Sequence, residues 1–267
     1  MLDYNFPTHW PSADELPDSD ETPVDNELQE LIPGLLKAIL LIIWAERMDW
    51  FFGIDMGLYH HPKKPAIVPD AFLSLGVQRF SREELRPSYA VWEEKVMPIF
   101  VLEVVSPTYR QEYTDKLEEY QRLGVLYYVI YASKRRDHPH LEVHKLVNGK
   151  YELQPENIVW MPEIGLGIGC ERGNYSGVTR EWLYWYDAEG KRYLTPEEQV
   201  KESAQRLQQE SQRAQQESQR AQQESQRAQQ ESQRAQQESQ RADRLAERSD
   251  RLAERLRELG IDPDNLN

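Results

Sequence analysis

A single carboxylate, Glu103, interrupts the apolar run PIFVLEVVS at residues 98–106. The Val, Ile, Leu and Phe residues around it predict a buried strand, and a helix and a second strand are predicted to follow before residue 131. An unpaired ionised acid in an apolar interior is strongly disfavoured. Glu103 is therefore expected to lie at a sheet edge, to have an ion-pair partner or to bind a metal.

The regions before this run divide into an acidic lead-in and a series of predicted elements. Residues 1–24 contain four prolines and many acids, which predicts an extended, weakly ordered segment. A helix is predicted within 24–50, with Asp25 as its N-cap and with a kink or a late start at Pro33. The acids of its opening turn, among them Glu27, suit the helix dipole.

Further strands are predicted on both sides of the Glu103 run. The segment 50–59 is predicted to form an aromatic strand with Asp55 inside it, and 67–75 a strand with Asp70 directly after a proline. A charged surface insertion is expected between them and the Glu103 strand. Asn148 and Gly149 predict a hairpin turn, whereas the glycine-rich segment 160–169 is expected to be a loop.

The composition changes completely after Thr195. Residues 210–241 repeat the heptad ESQRAQQ, which predicts a long helix over 196–262 followed by a short tail at 263–267. The Ser and Ala seam of this repeat buries little apolar surface, so a coiled coil and a solvated single helix both remain open. A leucine stripe near the end of the helix is expected to favour a homo-oligomer (Leu245, Leu252, Leu256 and Leu259).

Charge and cysteine content limit the classes of function. Residues 1–200 carry a net charge of −13, and the first 30 residues hold nine acids and no Lys or Arg. This balance argues against nonspecific nucleic-acid binding, which relies on cations that neutralise phosphates. The single Cys170 excludes internal disulfides and thiolate metal clusters, and the apolar run 31–44 is too short to span a bilayer. The sequence therefore predicts a cytoplasmic protein with no membrane partner.

The charged residues around the Glu103 strand form a candidate site. Asp70 is predicted at the end of one strand and Glu103 within another, and Glu112, Lys116 and Tyr120 follow at intervals of four on a predicted helix over 109–123. If that helix packs beside the strand, two carboxylates and one ammonium converge. Two carboxylates can hold a hard divalent cation such as Mg²⁺. A lysine beside them can orient or help to deprotonate an attacking water.

The same residues occur in motifs that resemble a known family. VPD at 68–70, VLEVVSP at 101–107 and EYTDKLEEYQRLGVLYY at 112–128 are similar to the Uma-type family of the PD-(D/E)xK restriction-nuclease-like superfamily. The resemblance covers about residues 25–190. It implies an α/β (α+β) domain over 25–195, with a mixed central sheet flanked by helices. It also implies Mg²⁺-dependent hydrolysis of DNA phosphodiester bonds, with Mn²⁺ as an alternative metal.

The resemblance implies roles for individual residues, and this chain differs from the family pattern at some positions. It implies that Asp70 and Glu103 are metal ligands and that Lys116 assists the attacking water. In the simplest superfamily pattern the lysine lies two residues after the second acid, where this chain has Val105. The family often has a Glu where this chain has Tyr127, so any role of that acid is absent. Glu27 matches only loosely a position where related nucleases supply another acid.

Each candidate also has a purely structural interpretation. Glu103 is then a salt-bridged acid, Asp70 a turn former and Lys116 a solvated helix residue. Glu112 and Tyr120 are expected to support the helix face. Two hypotheses of function follow. One is a Mg²⁺-dependent endonuclease acting on DNA. The other is a catalytically inactive nuclease-like scaffold whose C-terminal helix mediates protein interactions.

Overall fold

A computed structural model describes residues 10–17, 26–79, 85–105, 112–132 and 139–260. Contacts divide the chain into two units, at residues 1–200 and 201–267. The first unit holds the sheets and the short helices. The described residues of the second unit up to Glu258 are helical and contain the heptad repeat.

The first unit has helices α1 (Leu28–Ile43), α2 (Val91–Glu94) and α3 (Asp115–Leu123), with a 3₁₀ turn at Ala13–Glu15. Its strands in chain order are β1 (Trp50–Ile54), β2 (Leu58–Tyr59), β3 (Ala71–Leu75), β4 (Tyr89–Ala90), β5 (Phe100–Val104), β6 (Tyr127–Tyr131), β7 (Leu141–Val147), β8 (Lys150–Gln154), β9 (Ile158–Met161), β10 (Leu166–Tyr175) and β11 (Val178–Tyr186).

A mixed six-stranded sheet forms the centre of this unit, in the order β1-β3-β5-β6-β7-β8. Its parallel pair is β5 with β6, and the other neighbours are antiparallel. Parallel neighbours need a crossover connection, which here contains α3. A second, antiparallel sheet has the order β11-β10-β9, and β2 pairs with β4 in parallel.

Strand β5 has apolar partners on both faces. Phe100, Leu102 and Val104 pack in the cluster that contains α1 and the three-stranded sheet. Val101 and Val105 pack in a second cluster with Tyr120 of α3. Because side chains alternate along a strand, Glu103 lies on the α3 side together with the two valines, as predicted. These observations confirm a mixed central sheet flanked by helices.

Several predictions about local structure need correction. Helix α1 begins at Leu28 and continues through Pro33, so a late start is wrong. The missing N–H of Pro33 costs one helical hydrogen bond, which the buried leucines and isoleucines of α1 offset. The predicted N-cap Asp25 lies outside the described residues. Asp55 follows β1 with a φ of 46° instead of lying inside a strand.

The glycine-rich segment 160–169 is also not a loop, because it contributes to β9 and β10. A Cβ on Gly167 would lie 3.2 Å from the Cβ of Tyr186, and one on Gly169 would lie 3.0 Å from the Asn157 carbonyl oxygen. The glycines therefore allow close packing of strands. In contrast, the hairpin turn at Asn148 and Gly149 is confirmed, with φ values of 50° and 80°.

Helix α4 extends over Pro196–Glu258 and confirms the predicted long C-terminal helix. Thr195 and Glu198 form a capping box, since each backbone N–H donates to the other's side chain, at 2.9 and 3.2 Å. Gly260 follows the helix with a φ of 79°, and residues 261–267 lie outside the described part. In the described part of the chain, no helix combines the length and hydropathy needed to cross a bilayer.

Candidate active site

The strand pairing brings Asp70 and Glu103 opposite each other. Ala71 of β3 pairs with Leu102 of β5, so the next pair along the same antiparallel register is Asp70 and Glu103. Directly opposed residues in an antiparallel pair point to the same face. The Asp70 carboxylate also accepts a hydrogen bond from the Val104 N–H at 2.5 Å. Two acids that are 33 residues apart in the sequence are thus direct neighbours on one face of the sheet.

Helix α3 supplies two donors to the Glu103 carboxylate. The Lys116 ammonium donates to Oε2 at 2.7 Å, and the Tyr120 hydroxyl donates to Oε1 at 2.8 Å. The two donors are four residues apart, which places them on the same face of the helix. Glu103 itself is 2% exposed. A buried ionised acid is tolerated here because both of its oxygens are hydrogen-bonded.

Burial and charge act in opposite directions on the Glu103 and Lys116 pair. Burial raises the pKa of Glu103, and the Lys116 ammonium only partly offsets this. Burial alone would lower the pKa of Lys116, but the Glu103 carboxylate outweighs it, so that the pKa of Lys116 is raised. Lys116 is therefore a cation at neutral pH.

The groups around Asp70 repel its negative charge more than they stabilise it. Burial, followed by repulsion from Glu103, raises the pKa of Asp70 to about 8, although the Val104 N–H and Lys116 favour its ionised form. Asp55 adds a smaller repulsion, and its backbone N–H donates to the Asp70 carbonyl at 3.2 Å. A bound cation would relieve this repulsion directly.

Glu112 lies near the site but does not lie on α3. It is 5% exposed and precedes the helix, which begins at Asp115. The prediction of one helical face for Glu112, Lys116 and Tyr120 is therefore wrong for Glu112, and residues 109–111 of the predicted helix lie outside the described residues. The Tyr128 hydroxyl donates to the Glu112 carbonyl at 2.9 Å. The charge of Glu112 acts weakly on Glu103.

Glu27 is exposed and forms the N-cap position of α1. None of the contacts described around Glu103 involves it. This position agrees with the helix-dipole interpretation of its charge.

The donor set determines which metal these residues suit. Among the described residues, no group of three or more His, Cys, Asp or Glu side chains is arranged to hold a metal ion. Asp70 and Glu103 offer two carboxylates, and they repel each other. Mg²⁺ is commonly bound by one or two carboxylates and keeps several of its waters. The residues therefore fit a hard divalent cation with few protein ligands.

The sequence did not reveal three features of this site. The Val104 N–H is a backbone donor, so no residue type marks it. The position of Asp55 next to Asp70 depends on the pairing of β1 with β3, whereas the aromatic residues of 50–59 predicted Asp55 inside a strand. Tyr120 was expected mainly to support the helix face, with orientation of a site residue as the lesser alternative, and its hydroxyl contacts Glu103 directly.

Comparisons with known proteins identify a family and structurally similar solved proteins. The family model described as "Uma2: Putative restriction endonuclease" matches residues 20–170. A crystal structure described as "a putative nuclease belonging to DUF820 from Anabaena variabilis ATCC 29413" is 14% identical, with a TM-score of 0.40, and the match covers 53% of this chain and 75% of that chain. No curated protein matches the sequence.

Proposed function

This chain belongs to the Uma2 family of restriction endonucleases, as its motifs predict, and we propose that it is an endonuclease that uses a divalent cation to hydrolyse DNA phosphodiester bonds. The observation that carries the proposal is the buried Glu103 carboxylate, held by Lys116 at 2.7 Å and placed opposite Asp70. We assign this activity to the domain at residues 25–195.

Asp70 and Glu103 are the residues that would hold the cation, with Mg²⁺ as the expected metal and Mn²⁺ as an alternative. When bound, the cation supplies a Lewis acid and makes its water more acidic. The Val104 N–H keeps the Asp70 carboxylate directed toward β5. The Tyr120 hydroxyl fixes one oxygen of Glu103.

Lys116 acts as a charged donor rather than as a base. Glu103 raises its pKa, so its proton remains bound at neutral pH. The side chain is 27% exposed, which leaves part of it accessible to a substrate. From this position the Lys116 ammonium can orient the attacking water. It can also offset the negative charge of the five-coordinate phosphorus in the transition state.

Metal binding tests this proposal without a nucleic-acid substrate. In a calorimetric titration with Mn²⁺, the wild-type protein is expected to bind the ion, whereas Glu103→Gln is expected to lose detectable binding. Gln keeps the size of Glu but removes one of the two charges that attract the ion. Undetectable binding to the wild type, or unchanged binding to the variant, would contradict the proposed site.

The scaffold hypothesis remains as a second candidate because of helix α4. This helix has 63 residues, none of them buried. Its exposed Leu245 and Leu252 and the exposed Leu259, which directly follows the helix, recur at seven-residue spacing. We propose that this stripe drives self-association through the predicted segment 196–262. An inactive scaffold would self-associate in the same way but would neither bind the cation nor cleave DNA.

A further inference from the structure

The connection from β1 to β3 is a closed loop whose two ends meet at the carboxylate site. At its base, the Asp55 N–H donates to the Asp70 carbonyl at 3.2 Å. Further along the loop, Leu58 and Ile67 exchange both of their backbone hydrogen bonds, at 2.8 and 3.1 Å. These bonds hold residues 59–66 as a loop on a fixed base, and that base contains the proposed cation ligand Asp70.

The tip of this loop is a tight turn that carries two adjacent lysines. His61 closes the turn, because its carbonyl accepts from the Lys64 N–H and its Nδ1 atom accepts from the Lys63 N–H, both at 3.1 Å. Pro62 and Pro65 flank the two lysines and restrict the backbone further. The backbone of the turn is therefore fixed, while the side chains of Lys63 and Lys64 are exposed to solvent.

The two lysines have no ion-pair partner in the described part of the chain. Residues 56–69 contain no Asp or Glu at all. Lys191 and Arg192 are the other adjacent cations in the described part of this unit, and there Arg192 is paired with Glu171 at 3.0 Å and with Glu198 at 2.9 Å. The lysines of the turn are thus available to an anion from outside the chain.

The C-terminal part of helix α3 lies beside this turn. Burial, followed by repulsion from Lys64, lowers the pKa of His60, and Arg122 acts in the same direction, whereas Glu119 opposes them. Arg122 is exposed and, among the described residues, has no acidic partner. It follows Lys116 by six residues, which is about 9 Å along the helix axis. The turn and Arg122 therefore form one group of cations next to the proposed active site.

Exposed cations without protein partners suit the phosphates of a DNA backbone, because each phosphate that they neutralise releases condensed counterions. Residues 1–200 carry a net charge of −13, so a general basic surface does not attract DNA to this domain. Three cations beside the carboxylates can attract it locally. The distance of about 9 Å along α3 corresponds to about three base pairs of a duplex.

We propose that Lys63 and Lys64 of the turn and Arg122 of α3 bind backbone phosphates of the DNA duplex, within a few nucleotides of the bond that is cleaved. The inference rests on the proposed nuclease function and identifies where the substrate lies on the domain. Phosphate contacts carry no sequence information directly, so these three cations position the duplex without selecting its sequence.

Duplex binding in EDTA tests the proposal in the absence of cleavage. The full chain is titrated against two labelled blunt duplexes of unrelated sequence, and fluorescence anisotropy is recorded at several salt concentrations. The variant Lys63→Met with Lys64→Met keeps the apolar stems and removes two charges. The control, Lys150→Met with Lys191→Met, removes the same net charge at exposed positions of β8 and of the turn after β11.

The variant Lys63→Met with Lys64→Met is expected to bind both duplexes roughly 10-fold more weakly. The slope of log affinity against log salt should fall in magnitude by about 1.8, which corresponds to two lost phosphate contacts. Arg122→Met should lower it by about 0.9. The variant Lys63→Arg with Lys64→Arg should retain the wild-type values, because arginine also binds phosphate, and so should the control pair.

Three outcomes would overturn the inference: no duplex binding by the wild type, wild-type affinity and salt slope in Lys63→Met with Lys64→Met, or an equal loss in the control pair. A Mn²⁺ titration separates the inference from the proposed function. The lysine variant should bind Mn²⁺ at least as tightly as the wild type, because Asp70 and Glu103 are intact. If the wild type binds Mn²⁺ and cleaves DNA while the lysine variant binds duplex normally, the assignment of the turn fails and the nuclease proposal stands.

Discussion

The Lys116 ammonium lies 2.7 Å from Oε2 of Glu103, although the two residues belong to a helix and to the strand before it. Glu103 is almost fully buried and Lys116 is partly exposed. The pair therefore connects the interior of the sheet to the surface where a substrate would bind.

Replacement of Lys116 by Met should reduce DNA cleavage by roughly 10²–10³-fold, which is typical for loss of one donor to a charged transition state. Cation binding should be retained, because both carboxylates remain. The exposed Lys150 of strand β8 provides the control, and Lys150→Met should cleave at the wild-type rate. Equal cleavage by Lys116→Met and the wild type would remove Lys116 from the reaction.

Replacement of Tyr120 by Phe should lower the free energy of unfolding by about 1–3 kcal/mol, because a buried hydrogen bond to a carboxylate is lost. Cation affinity should fall about 10-fold, since the carboxylate is less well oriented. Tyr151→Phe is the matched control. Its hydroxyl donates to the Val125 carbonyl, so its loss should affect stability alone. Unchanged cation affinity in Tyr120→Phe would refute a positioning role.

Replacement of Asp70 by Asn should stabilise the metal-free protein at pH 8. The pKa of Asp70 is raised to about 8 in the folded state and is about 4 in an unfolded chain. Its contribution to stability is therefore complete below about pH 4 and is lost as the pH rises through about 8. In EDTA, the variant should gain up to about 5 kcal/mol over the wild type at pH 8, and none near pH 4.

Urea unfolding across this pH range measures the difference between the two proteins. The exposed Glu152 supplies the control, because Glu152→Gln should follow the wild-type pH profile. A constant difference between Asp70→Asn and the wild type at every pH would show that Asp70 is not a strained carboxylate.

Charge placed in the leucine stripe of α4 should prevent self-association. In the full chain, Leu252→Glu with Leu259→Glu is expected to give the mass of a monomer by light scattering, while the wild type gives a larger species. Gln230→Glu, within the Ser and Ala repeat, should behave like the wild type. A monomeric wild-type protein would instead identify α4 as a solvated single helix.

Much of the fold could be predicted from local patterns. The apolar run around Glu103 identified β5, the Asn148–Gly149 pair identified a hairpin turn, and the heptads identified α4. Glycine misled the interpretation of 160–169, because glycine is typical both of loops and of closely packed strands. Pro33 suggested a late start of α1, which is wrong because burial of the apolar face of this helix offsets the loss of one hydrogen bond.

The residues of the candidate site were proposed from sequence motifs, whereas their contacts were not predicted. Asp70, Glu103 and Lys116 were identified from motifs, and the structure places Lys116 against Glu103 and Asp70 opposite it. Their contacts depend on the strand register and on the residue at which α3 begins. Local sequence patterns do not reveal either of these. Glu112 shows this limit, because the four-residue spacing suggested a helix where α3 has not yet begun.

Cleavage of supercoiled plasmid by the wild type and by Glu103→Gln tests the central claim most directly. With Mg²⁺, the wild type should nick the plasmid, and EDTA should abolish the activity. Glu103→Gln should remain folded and should be at least about 100-fold slower, since one of two cation ligands is lost. Cleavage by Glu103→Gln at the wild-type rate, or no cleavage by either protein with Mg²⁺ or Mn²⁺, would contradict the account.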